Sequence, residues 1–220
     1  MTTTQPDLVF HHVPWSRSAG IRWLLEELAV PYAVNIVDVR APHGVDEGYR
    51  AIQPHKKVPA IQHGDVVVTE RAAIAIYLGD RFADAGLAPA IDAQGRAAYL
   101  TTLVYCDAVF DPAVSARAHG LTYRPSDYAF GGFDDVIAYL DAKLTRHPYA
   151  AGPVFTAADT QLASGLAFTM NVMQVVPRKP AFEAYLARTT SRPAYQRAQQ
   201  LDVELLQQHP EVAKNLPQPG

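Results

Sequence analysis

The sequence predicts a small β-α-β-β-β-α domain followed by an all-helical one, and three observations support this. Short β-type runs occur only in the N-terminal part, up to Glu70, where they are interleaved with two helical stretches. A segment rich in Gly, Pro and Asp, "DAGLAPAIDAQG" (84–95), then interrupts the pattern as a linker would. Beyond it the periodic segments are almost all helical. The expected boundaries are 5–84 for the first domain and 94–212 for the second.

"DLVFHHV" (7–13) is a short β-type run. "GIRWLLEELAV" follows, with Ile21, Leu24, Leu25 and Leu28 on one helical face. "PYAVNIVDV" (31–39) alternates and is rich in β-branched residues, a second strand. A strand, a helix and a strand in that order favour a parallel pair joined by a crossover helix. "APHGVDEGYRAIQP" reads as a loop with one helical turn, and "VPAIQHGDVVVTE" (58–70) as two short strands joined by a His-Gly-Asp turn. "TERAAIAIYLGDRFA" is a helix, with Thr69 as the expected N-cap. The later helices are expected over roughly 94–119, 131–146, 157–174, 179–189 and 193–208. Thr156 followed three residues later by Asp159 forms a capping-box-like start, with Asp in the usual Glu or Gln place.

The chain has 220 residues, 49% hydrophobic and 19% charged, enough apolar surface for a packed core. A formal net charge of −3 gives no electrostatic reason to bind nucleic acid or an anionic membrane. Cys106 is the only cysteine, so there is no internal disulfide and no CxxC pair for redox work or zinc, and it reads as a packed small side chain. The eight histidines show no ligand spacing such as HxxxH, so no metal is expected. "MTTTQPDLVF" lacks a basic region followed by a long apolar run, and no stretch approaches the roughly 18 apolar residues of a spanning helix. A soluble protein of a reducing compartment, the cytoplasm, is expected.

Over nearly its whole length the sequence resembles the glutathione S-transferase superfamily. The resemblance rests on "WSRSAGIRWLLEELAVPY", "KVPAIQHGDVVVTERAAIAIYLGDRF", "FTAADTQLASGLAF" and "RPAYQRA", in that order and spacing. It implies an α+β/α two-domain protein: a thioredoxin-like N-terminal domain (βαβ-ββα) and an all-α C-terminal helical bundle. It also implies glutathione as co-substrate bound in the first domain, a homodimer, and a detoxification role in which the thiolate of glutathione attacks a hydrophobic electrophile.

Glutathione carries a thiol, whose pKa lies near 8.5 for a free cysteine, and the thiolate is the nucleophile. A hydroxyl donating to the sulfur at the positive end of a helix dipole can lower that pKa by about one or two units. Ser16 falls where serine-type members of the family place this hydroxyl. Ser18 is the competing candidate, and either serine could instead be the helix N-cap. Tyr-type members use a tyrosine near the end of the first strand, where this chain has Phe10 and His11. His12 and Trp15 are expected to wall the site, and His11 to be an ordinary strand residue.

The resemblance gives the remaining roles. Val58 would offer its backbone to the cysteinyl part of glutathione, with Pro59 behind it in a cis peptide, and Lys57 would reach the glycine carboxylate. Family members often carry Asn-Pro-x-Gly-Lys here; this chain has Gln53-Pro54-His55-Lys56-Lys57, a stiffer and more basic loop. Glu70 would receive the glutamyl ammonium. Arg71 stands where Ser is common, and would bind the glutamyl carboxylate together with helix N–H groups. Trp15, Tyr105, Phe110, Tyr123 and Tyr128 are the candidates for the second-substrate pocket. The alternatives within the fold are a glutathione-dependent peroxidase, lyase or isomerase, a catalytically weak binding or interaction protein, and a carrier of hydrophobic ligands.

Overall fold

The computed structural model describes residues 6–216. The expected start of the first domain, residue 5, lies outside the described residues. The four strands among the described residues are β1 (Leu8–His12), β2 (Ala33–Ile36), β3 (Ala60–His63) and β4 (Val66–Thr69), with helix α1 (Ala19–Leu28) between β1 and β2 and α2 (Arg71–Arg81) after β4. The sheet order is β2-β1-β3-β4. β1 and β2 run parallel, with Val9 opposite Ala33, as the crossover helix requires. β3 pairs antiparallel with β1 and β4, and Gly64 (φ 58°) supplies the left-handed residue of the tight β3–β4 turn. This is the mixed four-stranded sheet of a thioredoxin-like domain.

The second half is helical: α3 (Arg96–Tyr105), α4 (Asp111–Ala118), α5 (Phe133–Arg146), α6 (Ala157–Asn171), α7 (Pro180–Thr190), α8 (Pro193–Gln208) and α9 (Pro210–Ala213). The single helix expected over 94–119 is two helices joined through a π-helical turn, Cys106–Phe110. The short α9 was not foreseen. Asp159 accepts the Thr156 backbone N–H at 2.8 Å, which closes the capping box at the start of α6. Its other oxygen accepts the Ala150 N–H at 2.7 Å and the Tyr185 hydroxyl at 3.0 Å, so a fully buried carboxylate ties three segments together.

Thr69 does not cap α2. It ends β4, and Glu70 takes the N-cap position with φ 68° and no side-chain cap bond. The first-turn N–H of Ala72 is instead accepted by the Asp107 carboxylate from the π-helical turn, at 3.0 Å. A cap from another domain is invisible to local spacing.

The two domains meet on α1, which packs against α6 and α8. Gly20 permits this closeness. A Cβ there would lie 2.8 Å from Gln161 Oε1 and 2.9 Å from both Ser164 Oγ and the Thr160 carbonyl oxygen of α6. Glu27 of α1 accepts a two-pronged bond from Arg192 at 2.6 and 2.7 Å and the Trp23 indole N–H at 2.9 Å. We predict that Gly20→Ala destabilises the chain by about 1–3 kcal/mol, through overpacking against α6 backbone. A urea midpoint equal to that of the parent would refute the close-approach argument.

Candidate functional site

The first turn of α1 explains why so many polar residues are clustered there. Ser16 is half-buried, and its hydroxyl lies 2.8 Å from the Val13 carbonyl and 2.6 Å from Ser18 Oγ. Ser18 holds the N-cap position of α1, but its side chain makes no cap bond. It is completely buried and its Oγ lies 2.6 Å from His12 Nδ1. Ser16 therefore borders open space and Ser18 does not, which separates the two candidates by geometry.

Ser16 opens onto a cleft of about 720 Å³ between the domains, within the range of ligand sites. Trp15, Lys57, Val58, Pro59, Glu70 and Arg71 line the same cleft, so every residue expected to hold glutathione surrounds one space. The Val58–Pro59 peptide is cis. Among the described residues nothing accepts from the Val58 N–H or donates to its carbonyl, which leaves both for a ligand strand. Trp15 (φ 56°) and Glu70 (φ 68°) hold left-handed backbone without being glycine, a strain that gathers at ligand sites.

The loop before Val58 keeps its shape by other means than a glycine. Lys56 stands at the glycine place of the family pattern and adopts φ 53°. Its ammonium is tied to the Val45 carbonyl at 3.1 Å and to Glu47 at 2.5 Å. Gln53 accepts the His55 and Lys57 N–H groups at 2.7 and 3.2 Å, and the Tyr49 hydroxyl donates to the Lys57 carbonyl at 3.1 Å. The loop is pinned on three sides.

Arg71 faces the cleft but is already paired. Its guanidinium meets the Asp107 carboxylate and, at 3.2 Å, that of Asp111. Asp111 also takes a two-pronged bond from Arg17 at 2.6 and 2.8 Å. Two carboxylates and two guanidiniums thus form a charge-balanced cluster on the cleft wall. Asp107, Asp111, Arg17, Arg40, Gln53, His55 and Phe168 all line the cleft and were missed in the sequence. Asp107 and Asp111, four residues apart beside a helix interior, carried the only usable signal, that of acidic side chains on one face.

The aromatic candidates separate. Phe110 lines a smaller recess beside Ser16, with Phe168 and Met173. Trp15 and Phe168 also border a second recess of about 250 Å³ toward Tyr195. Tyr105, Tyr123 and Tyr128 are not brought to these spaces. Tyr105 packs on Tyr139 at 4.9 Å between ring centres, while Tyr123 and Tyr128 pack on each other and on Phe130 within their own loop. His12 does not wall the site either; it is 0% exposed behind Ser18. His11 is a buried strand residue whose Nδ1 accepts from the Asn35 amide at 2.9 Å. Burial pushes the Cys106 thiol up to about 12, so it is a packed thiol and not a nucleophile. Among the described residues there is no cluster of His, Cys, Asp and Glu that could hold a metal, and no helix long and apolar enough to cross a membrane.

A thioredoxin-like sheet carrying a cis-proline, with a serine before one helix and an acidic residue before the next, backed by helices, defines a class of two-domain fold with a cleft at the domain seam. Residues 8–80 match the family model "Glutathione S-transferase, N-terminal domain". Glutathione S-transferase 3 of Schizosaccharomyces pombe is 28% identical over 70% of this chain and 71% of its own length. Glutathione S-transferase 3 of Zea mays is 27% identical over 79% and 84%. A solved theta-class glutathione S-transferase of Xanthomonas axonopodis pv. citri, with glutathione bound, superposes with a TM-score of 0.74 at 25% identity, covering 88% of this chain and 97% of its own. A sphingomonad glutathione S-transferase complexed with glutathione gives 0.72 at 26%, covering 88% and 98%. Residues 8–80 thus match the N-terminal domain of the glutathione S-transferase superfamily, and most of the chain is similar to its members.

Burial pushes the pKa values of His11 and His12 below their ordinary value. Both bind a proton less readily in the fold than in the unfolded chain, which protonates below about pH 6.5, so stability is present above that pH and lost as pH falls toward their lowered values. Asp159, raised to about 6 by burial, acts in the opposite sense, losing stability as pH rises through that value. We therefore predict that the urea midpoint of the parent drops between about pH 7.5 and 5.5 more than that of His12→Gln, in which Asp159 is unchanged. Parallel pH slopes for the two proteins would contradict this.

Proposed function

We propose that the chain is a glutathione transferase in which the thiolate of bound glutathione attacks a hydrophobic electrophile and forms a thioether. The observation that carries this reading is that Ser16, Val58, cis-Pro59 and Glu70 share one cleft at the start of α1. The extended backbone of glutathione would pair with the free Val58 N–H and carbonyl. Its ammonium would sit at Glu70 and its glycine carboxylate near Lys57. The sulfur would then lie at Ser16, whose hydroxyl donates to S⁻ with the positive end of α1 behind it, so thiolate forms nearer neutral pH.

In this reading Arg71 acts through the cluster with Asp107 and Asp111. A glutamyl carboxylate would compete for the guanidinium, and the two acidic side chains would then face the ammonium. Phe110, Phe168, Met173 and Trp15 give the electrophile its apolar surface beside the sulfur. The domain limits 5–84 and 94–212, a homodimer, a cytoplasmic location and a role in detoxification belong to the same proposal. A catalytically weak binding protein is the second reading. It is favoured by the prior engagement of Arg71 and of the Ala72 N–H by Asp107 and Asp111.

Calorimetric titration of glutathione, with turnover of a chromogenic aryl halide, separates the two. We expect binding in the micromolar to millimolar range, about −8 to −4 kcal/mol. Glu70→Ala should weaken it by about 1.5–3 kcal/mol, the worth of a charged hydrogen bond. Ser16→Ala should spare binding and lower turnover at least about tenfold, the equivalent of one unit of thiol pKa. Absence of binding at high glutathione would leave the second reading in place. Unchanged turnover in Ser16→Ala would remove the serine from the mechanism.

A further inference from the structure

The hydrogen-bonded row that begins at the cleft does not end at Ser16. Ser16 Oγ lies 2.6 Å from Ser18 Oγ, Ser18 Oγ lies 2.6 Å from His12 Nδ1, and His12 Nε2 lies 2.9 Å from Asp202 Oδ1. Only Ser16 borders the cleft; Ser18 and His12 are 0% exposed, and Asp202, 3% exposed, touches the recess toward Tyr195. The row runs from open space, through β1, to a carboxylate on α8 of the other domain.

The chemistry of its members gives the row a direction. A carboxylate can only accept, so His12 keeps its proton on Nε2 and turns the Nδ1 lone pair toward Ser18. Ser18 has two acceptors in reach, His12 Nδ1 at 2.6 Å and the Val13 carbonyl at 3.2 Å, and the nearer is the imidazole. With that proton committed, the Ser18 oxygen is free to accept from Ser16, whose acceptors in reach are Ser18 Oγ at 2.6 Å and the Val13 carbonyl at 2.8 Å. Two hydroxyls, each able to donate and accept, thus link the cleft to a buried base. A histidine serving only to hold α8 against β1 would need no such link to the cleft.

We propose that His12, acting through Ser18 and Ser16, takes up the proton of a thiol bound at Ser16, so that the thiolate forms without loss of a proton to solvent. The proposal rests on the glutathione reading given above. The step is three concerted proton shifts. The S–H bond breaks as a new O–H forms on Ser16; the former Ser16 proton passes to Ser18; the former Ser18 proton passes to His12 Nδ1. Nothing is oxidised or reduced. The products are a thiolate and an imidazolium, and every hydrogen bond now points the other way: His12 donates to Ser18, Ser18 to Ser16, and Ser16 to the sulfur. The relay therefore leaves Ser16 as the donor that the thiolate needs.

The surroundings hold the empty relay neutral. The Phe10 ring stacks on His12 at 4.8 Å, and burial lowers the affinity of the imidazole for a proton. Arg22 of α1, with Nε 3.8 Å from Asp202 Oδ1, opposes protonation as well, while Asp202 favours it. A thiolate at Ser16 adds the negative charge that tips this balance toward imidazolium.

The test measures protons. Glutathione is titrated calorimetrically into the intact protein near pH 6.5 in buffers of different ionisation heat, and thiolate is read from its ultraviolet absorbance. In the parent we expect a thiolate band with almost no proton released to buffer. In Ser18→Ala and His12→Gln the band should titrate about one pH unit higher or more, with about one proton released per thiolate formed. Binding of S-methylglutathione, which has no thiol proton, should be unchanged in both. Ser18→Thr, which restores a hydroxyl, should recover the parent titration. Release of one proton per thiolate by the parent overturns the relay without recourse to any variant, and so does an unshifted band in folded Ser18→Ala. If the parent binds neither glutathione nor S-methylglutathione, the underlying reading fails; if it binds both and forms thiolate with proton release, only the relay fails.

Discussion

The contact between α1 and the helical domain is the constraint on which the rest of the structure depends. α1 is an element of the sheet domain, yet its packing partners α6 and α8 belong to the other half of the chain. Gly20 allows α1 to approach the α6 backbone within a distance that no side chain would permit. Ser16 sits one turn before Gly20, so its hydroxyl is fixed by that approach, as are the width of the cleft and the position of Phe168 on its far wall. Shifting α1 by a methyl group would move all three together.

Several polar groups at this seam find partners across it. Glu27 meets Arg192, His12 meets Asp202, and the first turn of α2 finds its acceptor in Asp107. Each of these groups would be costly to bury alone, because removing one partner of a buried charged pair strands the other. The seam is therefore not a greasy surface on which the domains can slide. Its register is set by directional bonds, and these bonds end at the residues that surround the cleft. The π-helical turn Cys106–Phe110 contributes here: it aims Asp107 at both Arg71 and the Ala72 N–H.

The cleft itself combines family elements with substitutions that keep their geometry. Lys56 adopts the left-handed backbone that glycine would take without cost, and its ammonium is anchored at Val45 and Glu47. Arg71 keeps a polar group at the start of α2 but brings with it two carboxylates. The backbone geometry of the cleft is thus retained while the charge around it is changed. That is the pattern expected where a peptide-like ligand is read through its main chain and specificity is set by the walls.

The sequence by itself determined the elements of the first domain, their order and the capping box at Thr156–Asp159, and the family resemblance pointed to residues that line one cleft. These are local or carried by short motifs: β-type runs and the His-Gly-Asp turn mark the strands, a 3.6-residue stripe marks α1, and "KVPA" and "TERAA" fall at the cleft. Only the tertiary structure shows that Ser16 borders the cleft while Ser18 is buried, because both stand within one turn of the same helix. Only the fold could remove Thr69 as a cap, take Tyr105, Tyr123 and Tyr128 away from the site, and move His12 from its wall to the interior behind it. Asp202 carries no local signal, and the spacing of Asp107 and Asp111 shows a shared face but not what it meets; the partners of Asp107 and Asp202 lie 35 and 190 residues away in the chain. Periodicity shows which face of an element is buried, but which polar group it meets there is set by how two domains dock, and that is fixed by close packing at Gly20.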